Sequence, residues 1–251
     1  MERTIGKIEM KVIHKWSTPI AEKSIYLNDE YRKILIRAVV KHGANIFQSL
    51  PGESIDVYDT IEDFQQRSYL AISDYLNEAY NISIGNKYTI DVKAFGNHQM
   101  YGGRTYPHYH NHYDGVMVHY LTIGDEFKLN DDYDVIPLTE EDRIHKEVLF
   151  EEGQGYYAIQ GDTKYRENSK VHNIKDGEVY EEKFPLQGSG KLILCDPRVG
   201  VSNLFSNKAI SFTPKVGMTL LHPGYLWHES NTFTGNGIRV NVVVMFRVET
   251  R

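Results

Sequence analysis

The sequence contains a single cysteine, Cys195, which excludes an intrachain disulfide framework and a cysteine-based zinc site. Cys195 sits in the apolar run 192–195, where a thiol reads as a small buried hydrophobe rather than a nucleophile. Long apolar runs are also missing. No window approaches the roughly 18 apolar residues of a membrane-spanning helix, and the N-terminal Met-Glu-Arg-Thr-Ile-Gly-Lys has no signal-peptide core. The expectation is a soluble, cytoplasmic protein. Excess positive charge is absent too. With 28 Lys+Arg against 34 Asp+Glu the net charge is -6, which disfavours a dedicated nucleic-acid binder. The acid is concentrated in residues 125–187, so the remainder is slightly basic and leaves room for a modest basic patch.

What is present is ample for a core: 41% of residues are hydrophobic and 12% aromatic. The chain is expected to form one domain over 1–251, with a helical N-terminal part in 1–86 and an acidic insertion over 125–187. Alternation of Ile8, Met10 and Val12 predicts a first strand in 6–16. Asn28 is placed to cap a helix that carries Leu35, Ala38 and Val39 on one face and stops at Gly43. A second helix is expected to start after Thr60, with Asp63 completing a capping box. Beyond Lys87 the pattern turns to strands: 88–95, 116–123, 191–196, 210–212, 217–221 and 238–246. The insertion reads as loops with one hairpin. Two helices followed by many short strands predict an α+β, mainly β chain with a sandwich or barrel.

The most unusual stretch is Tyr106-Pro-His-Tyr-His-Asn-His-Tyr-Asp-Gly115. In a strand, His108, His110, His112 and Asp114 would all point to one face. Asp114-Gly115 would then form a hairpin turn. At about 3.3 Å per residue the first and last of the row lie roughly 20 Å apart, so one ion cannot use all four. Far along the chain, Gly217-Met-Thr-Leu-Leu-His-Pro-Gly-Tyr-Leu-Trp-His228 places a histidine after a Pro-Gly turn. Eleven residues later Arg239 stands in a Val/Ile-rich strand, with Asn241 facing the same way. A guanidinium in such a run needs an anion, and arginine suits bidentate grip of a carboxylate.

This order of His-x-His/Asp, strand, remote Trp-His and Arg-x-Asn resembles the iron(II)/2-oxoglutarate-dependent oxygenases on the double-stranded β-helix, or jelly-roll, fold. More closely it resembles the phage and marine-bacterial branch with Pro-His-x-His near a Tyr-Leu strand. The resemblance covers roughly 87–123 and 190–247 and has no counterpart for 125–187. It implies a jelly roll with two helices packed on it, Fe(II) as metal, and 2-oxoglutarate and O2 as co-substrates. It implies His228 as the distal metal ligand and Arg239 with Asn241 as the holders of the co-substrate's far carboxylate. Three registers compete for the proximal pair. The usual two-histidine, one-carboxylate set favours His112 and Asp114. Alignment on Pro107 and Tyr120-Leu121 favours His108 and His110, and a His-Asn-His variant favours His110 and His112. The leading expectation is His112 with Asp114, and His110 is the first replacement.

Two other classes fit parts of the pattern. A cupin would use Gly102, His108 and His110 and then Gly217, Pro223-Gly224 and His228, with no task for Arg239. A non-enzymatic jelly roll, structural or carbohydrate-binding, would leave the histidine row exposed and metal-free. The tyrosines 101, 106, 109 and 113 with Trp227 serve equally as substrate wall or as packing.

Overall fold

In the computed structural model, the described residues are 10–15, 18–48, 50, 52–85, 87–142, 157–160, 163–166, 170–173, 190–196 and 209–251. The chain begins with strands β1 (Met10–Lys15) and β2 (Thr18–Ser24), then helices α1 (Asp29–His42) and α2 (Ile55–Tyr80). Next come β3 (Tyr88–Gln99), β4 (Thr105–His108), β5 (Gly115–Ile123), β6 (Phe127–Leu129) and β7 (Val135–Pro137). The short strands β8 (Tyr157–Gln160), β9 (Thr163–Arg166) and β10 (Lys170–Asn173) follow. The last are β11 (Leu192–Cys195), β12 (Ala209–Phe212), β13 (Met218–Pro223), β14 (His228–Ser230) and β15 (Arg239–Thr250).

Two antiparallel sheets form the body. The major sheet runs β1-β2-β13-β5-β15-β3 and the minor sheet β12-β11-β14-β4. From β3 to β5 and from β12 to β15 consecutive strands alternate between the two, as in a double-stranded β-helix. The central strands of the major sheet are covered on both sides, which is why β5 and the first eight residues of β15 are almost wholly buried. Alternation divides their side chains between two cores. Val116, Val118, Tyr120, Val243 and Met245 join Leu192, Leu194 and Phe212 between the sheets. Met117, Leu121, Val242, Val244 and Phe246 meet Leu35, Val39, Phe64 and Ile72 of the helices. Among the described residues no helix is long and apolar enough to cross a membrane.

Helix α1 is capped by Asn28, whose side chain accepts the Tyr31 N–H at 2.9 Å, and it ends at Gly43 with φ +40°. Helix α2 starts at Ile55, earlier than the Thr60 signal predicts. Ser54 stands at its N-cap, and the Ser54 carbonyl accepts the N–H groups of Val57 and Tyr58. Asp63 is therefore mid-helix, where it pairs with Arg67 one turn on, Nε to Oδ2 2.8 Å, instead of capping. The insertion holds more strand than one hairpin: β6 pairs with β7, and β8, β9 and β10 form a small antiparallel sheet. The rest of 143–189 lies outside the described residues.

The expectation of a histidine-bearing strand fails. β4 stops at His108, and β4 and β5 belong to different sheets, so residues 109–114 form a corner between sheets rather than a hairpin. The corner takes its hydrogen bonds from Gly224 and β15. His110 N–H donates to the Gly224 carbonyl (2.9 Å), Gly224 N–H to the Asp114 carbonyl (3.0 Å), and Asp114 N–H to the Phe246 carbonyl (2.9 Å). His112 turns the chain with φ +74°.

Helix α1 approaches β3 closely enough that a Cβ on Gly96 would lie 2.4 Å from Val39 Cγ1. Gly96→Ala is expected to lower unfolding free energy by about 1–3 kcal/mol, the usual cost of overpacking. Urea denaturation of the two proteins measures it.

Candidate metal centre

The pairing of β4 with β14 sets His108 directly opposite His228. Their ring centroids are 4.3 Å apart, and His110, two residues into the corner, lies 5.1 Å from each of them. The ligand nitrogens of His108, His110 and His228 all fall within 4.8 Å of one another. One of these histidines thus ends a strand, one sits in the corner clasped by Gly224, and one starts the facing strand.

Two of these rings have a defined tautomer. His108 Nδ1 lies 2.8 Å from the Tyr106 carbonyl, and His228 Nδ1 lies 2.8 Å from the Leu226 carbonyl. A carbonyl only accepts, so each Nδ1 carries the proton and each Nε2 presents a lone pair. Histidines that bind metals are oriented in this way. His110 Nε2 is buried and has no hydrogen-bond partner, an arrangement that costs about 1–3 kcal/mol if nothing meets it. Burial pushes His228 down to about 2, with His222, His108 and His110 adding to the shift. Burial, then the neighbouring His108 and His222, lowers His110 to about 4. At neutral pH these two rings are uncharged. Neutral imidazoles with converging lone pairs fit a divalent transition metal, and among them there is no carboxylate.

The structure brings His110 and His228 of the anticipated residues into this cluster, together with His108. His112 and Asp114 lie outside it. His112 is exposed at the turn of the corner. The Asp114 carboxylate instead accepts the Val248 N–H at 2.7 Å, which ties the corner to β15. The alternating-face pattern that favoured this pair requires a continuous strand, and the strand ends six residues too early.

Arg239 begins β15 and faces the space between the sheets, only 2% exposed. It donates from Nη1 to Gln99 Oε1 and from Nη2 to the Tyr120 hydroxyl (3.2 Å), and its guanidinium lies 5.0 Å from the centroid of the Tyr120 ring. Among the described residues it has no carboxylate partner, and its Nε–H is buried with no acceptor. Asn241 is buried on the same side with Oδ1 unmatched. Among the described residues the arginine is thus held in place by neutral groups. Gln99 also donates from Nε2 to Thr105 Oγ1 (2.9 Å) and Ser230 Oγ (3.2 Å), while Ser230 Oγ accepts the Thr105 N–H at 2.8 Å. The arginine is thereby linked to the strand pair that carries His108 and His228.

Two residues of the site escaped the sequence reading. Gln99 carries no signal beyond its place at the end of a strand. His222 was visible inside the Gly217–His228 element but without a task. It is fully buried, its ring 4.8 Å from that of His228. Of the aromatics, Tyr113 packs into the intersheet core, whereas Tyr109 and Trp227 are exposed and meet at 5.0 Å next in sequence to His108, His110 and His228.

No protein-family model matches the chain, and no curated protein does. Solved structures do. A Pseudomonas putida prolyl-4-hydroxylase is 11% identical with a TM-score of 0.46, over 92% of this chain and 87% of that one. A 2OG-Fe(II) oxygenase family oxidoreductase from Burkholderia pseudomallei is 10% identical with a TM-score of 0.41, over 96% and 74%. HygX from Streptomyces hygroscopicus, with nickel and 2-oxoglutarate bound, is 12% identical with a TM-score of 0.41, over 92% and 82%.

Burial also lowers His119, which bonds Thr219 Oγ1 on the helix side of the sheet, to about 3. Histidines depressed in the fold bind fewer protons than in the unfolded chain, so stability is full above about pH 6.5 and falls as pH drops. Each pH unit below that value costs about 1.4 kcal/mol per such histidine until its folded value is reached. Metal-free protein is expected to lose stability steeply from about pH 6.5 to 4 in denaturant titrations, and His119→Gln to flatten that slope.

Proposed function

We propose that this chain is a metal-dependent oxygenase that uses 2-oxoglutarate. His108, His110 and His228 hold the metal in this reading, and Arg239, with Asn241 beside it, holds the far carboxylate of the co-substrate. The observation that carries the proposal is the pairing of a three-histidine cluster with a buried arginine that has no carboxylate partner among the described residues. A dicarboxylate with a keto-acid end and a free carboxylate matches both features at once. Fe(II) follows from the sequence resemblance to the iron(II)/2-oxoglutarate oxygenases; the same imidazoles accept Co, Ni or Zn. When bound, the metal and co-substrate supply oxidation of a substrate by O2 coupled to decarboxylation of 2-oxoglutarate to succinate.

The protein's own part is to hold and orient. The carbonyls of Tyr106 and Leu226 aim two imidazoles, Gly224 clasps the third, and Gln99 and Tyr120 pre-position the guanidinium so that little ordering remains when the carboxylate arrives. The apolar intersheet core keeps this space poor in water, which strengthens the ionic grip. One feature favours a second reading, a cupin-type metal protein without 2-oxoglutarate: the cluster contains no carboxylate. That reading leaves Arg239 without a ligand.

Anaerobic addition of Fe(II) and then 2-oxoglutarate distinguishes them. The oxygenase gives a weak visible metal-to-ligand band that Arg239→Ala abolishes without abolishing iron binding. Iron binding without a band supports the cupin, and no iron binding overturns both. Single alanine substitutions at His108, His110 and His228 are expected to weaken Fe(II) binding at least tenfold, whereas His112→Ala and Asp114→Ala keep it within about twofold. Isothermal titration measures both sets, and the opposite pattern would move the centre to the 112/114 pair.

A further inference from the structure

Gln99 is the last residue of β3 and stands directly opposite Arg239 in the β3–β15 ladder. Its buried side chain crosses from one sheet to the other. Oε1 accepts from Arg239 Nη1 on the major sheet, while Nε2 donates to Thr105 Oγ1 (2.9 Å) on β4 and Ser230 Oγ (3.2 Å) on β14. Thr105 and Ser230 are themselves paired in the minor sheet, where the Thr105 N–H donates to Ser230 Oγ at 2.8 Å. His108 lies three residues after Thr105, and His228 two before Ser230. One amide thus joins the arginine to both strands that carry histidines of the centre.

Two properties of this residue go beyond packing. The first is direction. Apolar contact between the sheets sets no orientation, whereas a hydrogen-bonded bridge fixes both distance and angle. The reverse amide orientation would turn N–H groups toward the guanidinium, donor against donor, so Arg239 itself fixes the sense of the bridge. The second is neutrality. A glutamate of the same shape would pair with Arg239 permanently, but an amide oxygen holds the guanidinium without neutralising it. Main chain closes the other side of the arginine. A Cβ on Gly190 would lie 3.0 Å from Arg239 Cδ and 3.2 Å from Nε. Between Gln99, Tyr120 and Gly190 the guanidinium has little room to reach farther or to draw back.

We propose that Gln99 is a positioning residue that sets the span between Arg239 and the histidine centre, and so selects the length of the 2-oxo dicarboxylate that joins them. This rests on the function proposed above. With both ends of the site fixed, a chain one methylene shorter would not reach the guanidinium and one methylene longer would not fit between them.

The test uses the full chain with Fe(II) under anaerobic conditions, with binding of 2-oxo acids read from the visible metal-to-ligand band. The probes are oxaloacetate, 2-oxoglutarate and 2-oxoadipate, which differ by single methylenes, and pyruvate, which has no far carboxylate. The parent is expected to prefer 2-oxoglutarate to the other two dicarboxylates by about tenfold or more, the discrimination a fitted pocket makes for one methylene. Gln99→Met keeps the volume and removes the bridge. It is expected to narrow that preference to about threefold or less, with iron and pyruvate binding within about twofold of the parent. Gln99→Ala serves if thermal unfolding shows that the methionine variant does not fold. A residue that served only the fold would weaken iron, pyruvate and dicarboxylates together and leave the length preference alone. The proposal is overturned by that result, by a folded variant that keeps the parent's preference, or by a parent that shows none. In each case a parent band with 2-oxoglutarate leaves the proposed function standing. A parent that gives no band overturns both.

Discussion

The site depends on a single close approach of main chains, where Gly224 meets the corner 110–114. A Cβ at this position would lie 2.1 Å from the Tyr113 carbonyl oxygen, so only glycine lets the two segments touch. The contact makes two hydrogen bonds, one from the His110 N–H to the Gly224 carbonyl and one from the Gly224 N–H to the Asp114 carbonyl, and they replace the ladder the corner gave up when β4 ended. The residues immediately before and after Gly224 lead to His222 and to His228. One turn therefore sets His110 relative to His228, and the β4–β14 pair adds His108.

The second constraint is electrostatic. Several titratable rings and one guanidinium are buried with little compensation, which is costly in an apolar interior. The fold limits that cost in two ways. Main-chain carbonyls take one nitrogen of three imidazoles, and neutral side chains take two donors of Arg239. Among the described residues the buried side-chain atoms without a partner are His110 Nε2, His222 Nε2, Arg239 Nε and Asn241 Oδ1, which lie about the site, and Ser73 Oγ, Thr122 Oγ1 and Asn231 Oδ1. Buried unmatched polar atoms scattered through a core would signal poor packing. The four atoms about the site are of complementary kinds, imidazole lone pairs and an amide oxygen on one hand and a guanidinium N–H on the other.

Asp114 shows how the same residue reads differently in two contexts. As part of a row of alternating polar residues it looked like the carboxylate of a metal triad. In the fold its side chain caps the Val248 N–H on β15, and its main chain holds both Phe246 and Gly224. Its polarity is used to secure the corner. His112 likewise takes a left-handed backbone conformation that a strand would not contain.

Local chemistry was legible where it is carried by short-range pattern. The apolar strand runs of β5 and β15, the Asn28 cap and Gly43 stop of α1, and the Pro-Gly turn after β13 follow from local composition and backbone preference alone. So did the isolation of Arg239, because a guanidinium in a run of valines is conspicuous whatever the fold. The start of α2 was not legible, since a helix can extend past a weak cap when its apolar face is packed. The choice among neighbouring histidines was not legible either. His108, His110 and His112 are chemically equivalent in one dimension, and a strand that ends after His108 sends its successors in directions that spacing cannot supply. The partnership of His228 with His108, more than a hundred positions away, exists only because β14 and β4 lie side by side in the minor sheet. The sequence by itself determined which kinds of ligand are available. The tertiary structure decided which of them share a centre, because that choice depends on where the main chain leaves one sheet and enters the other.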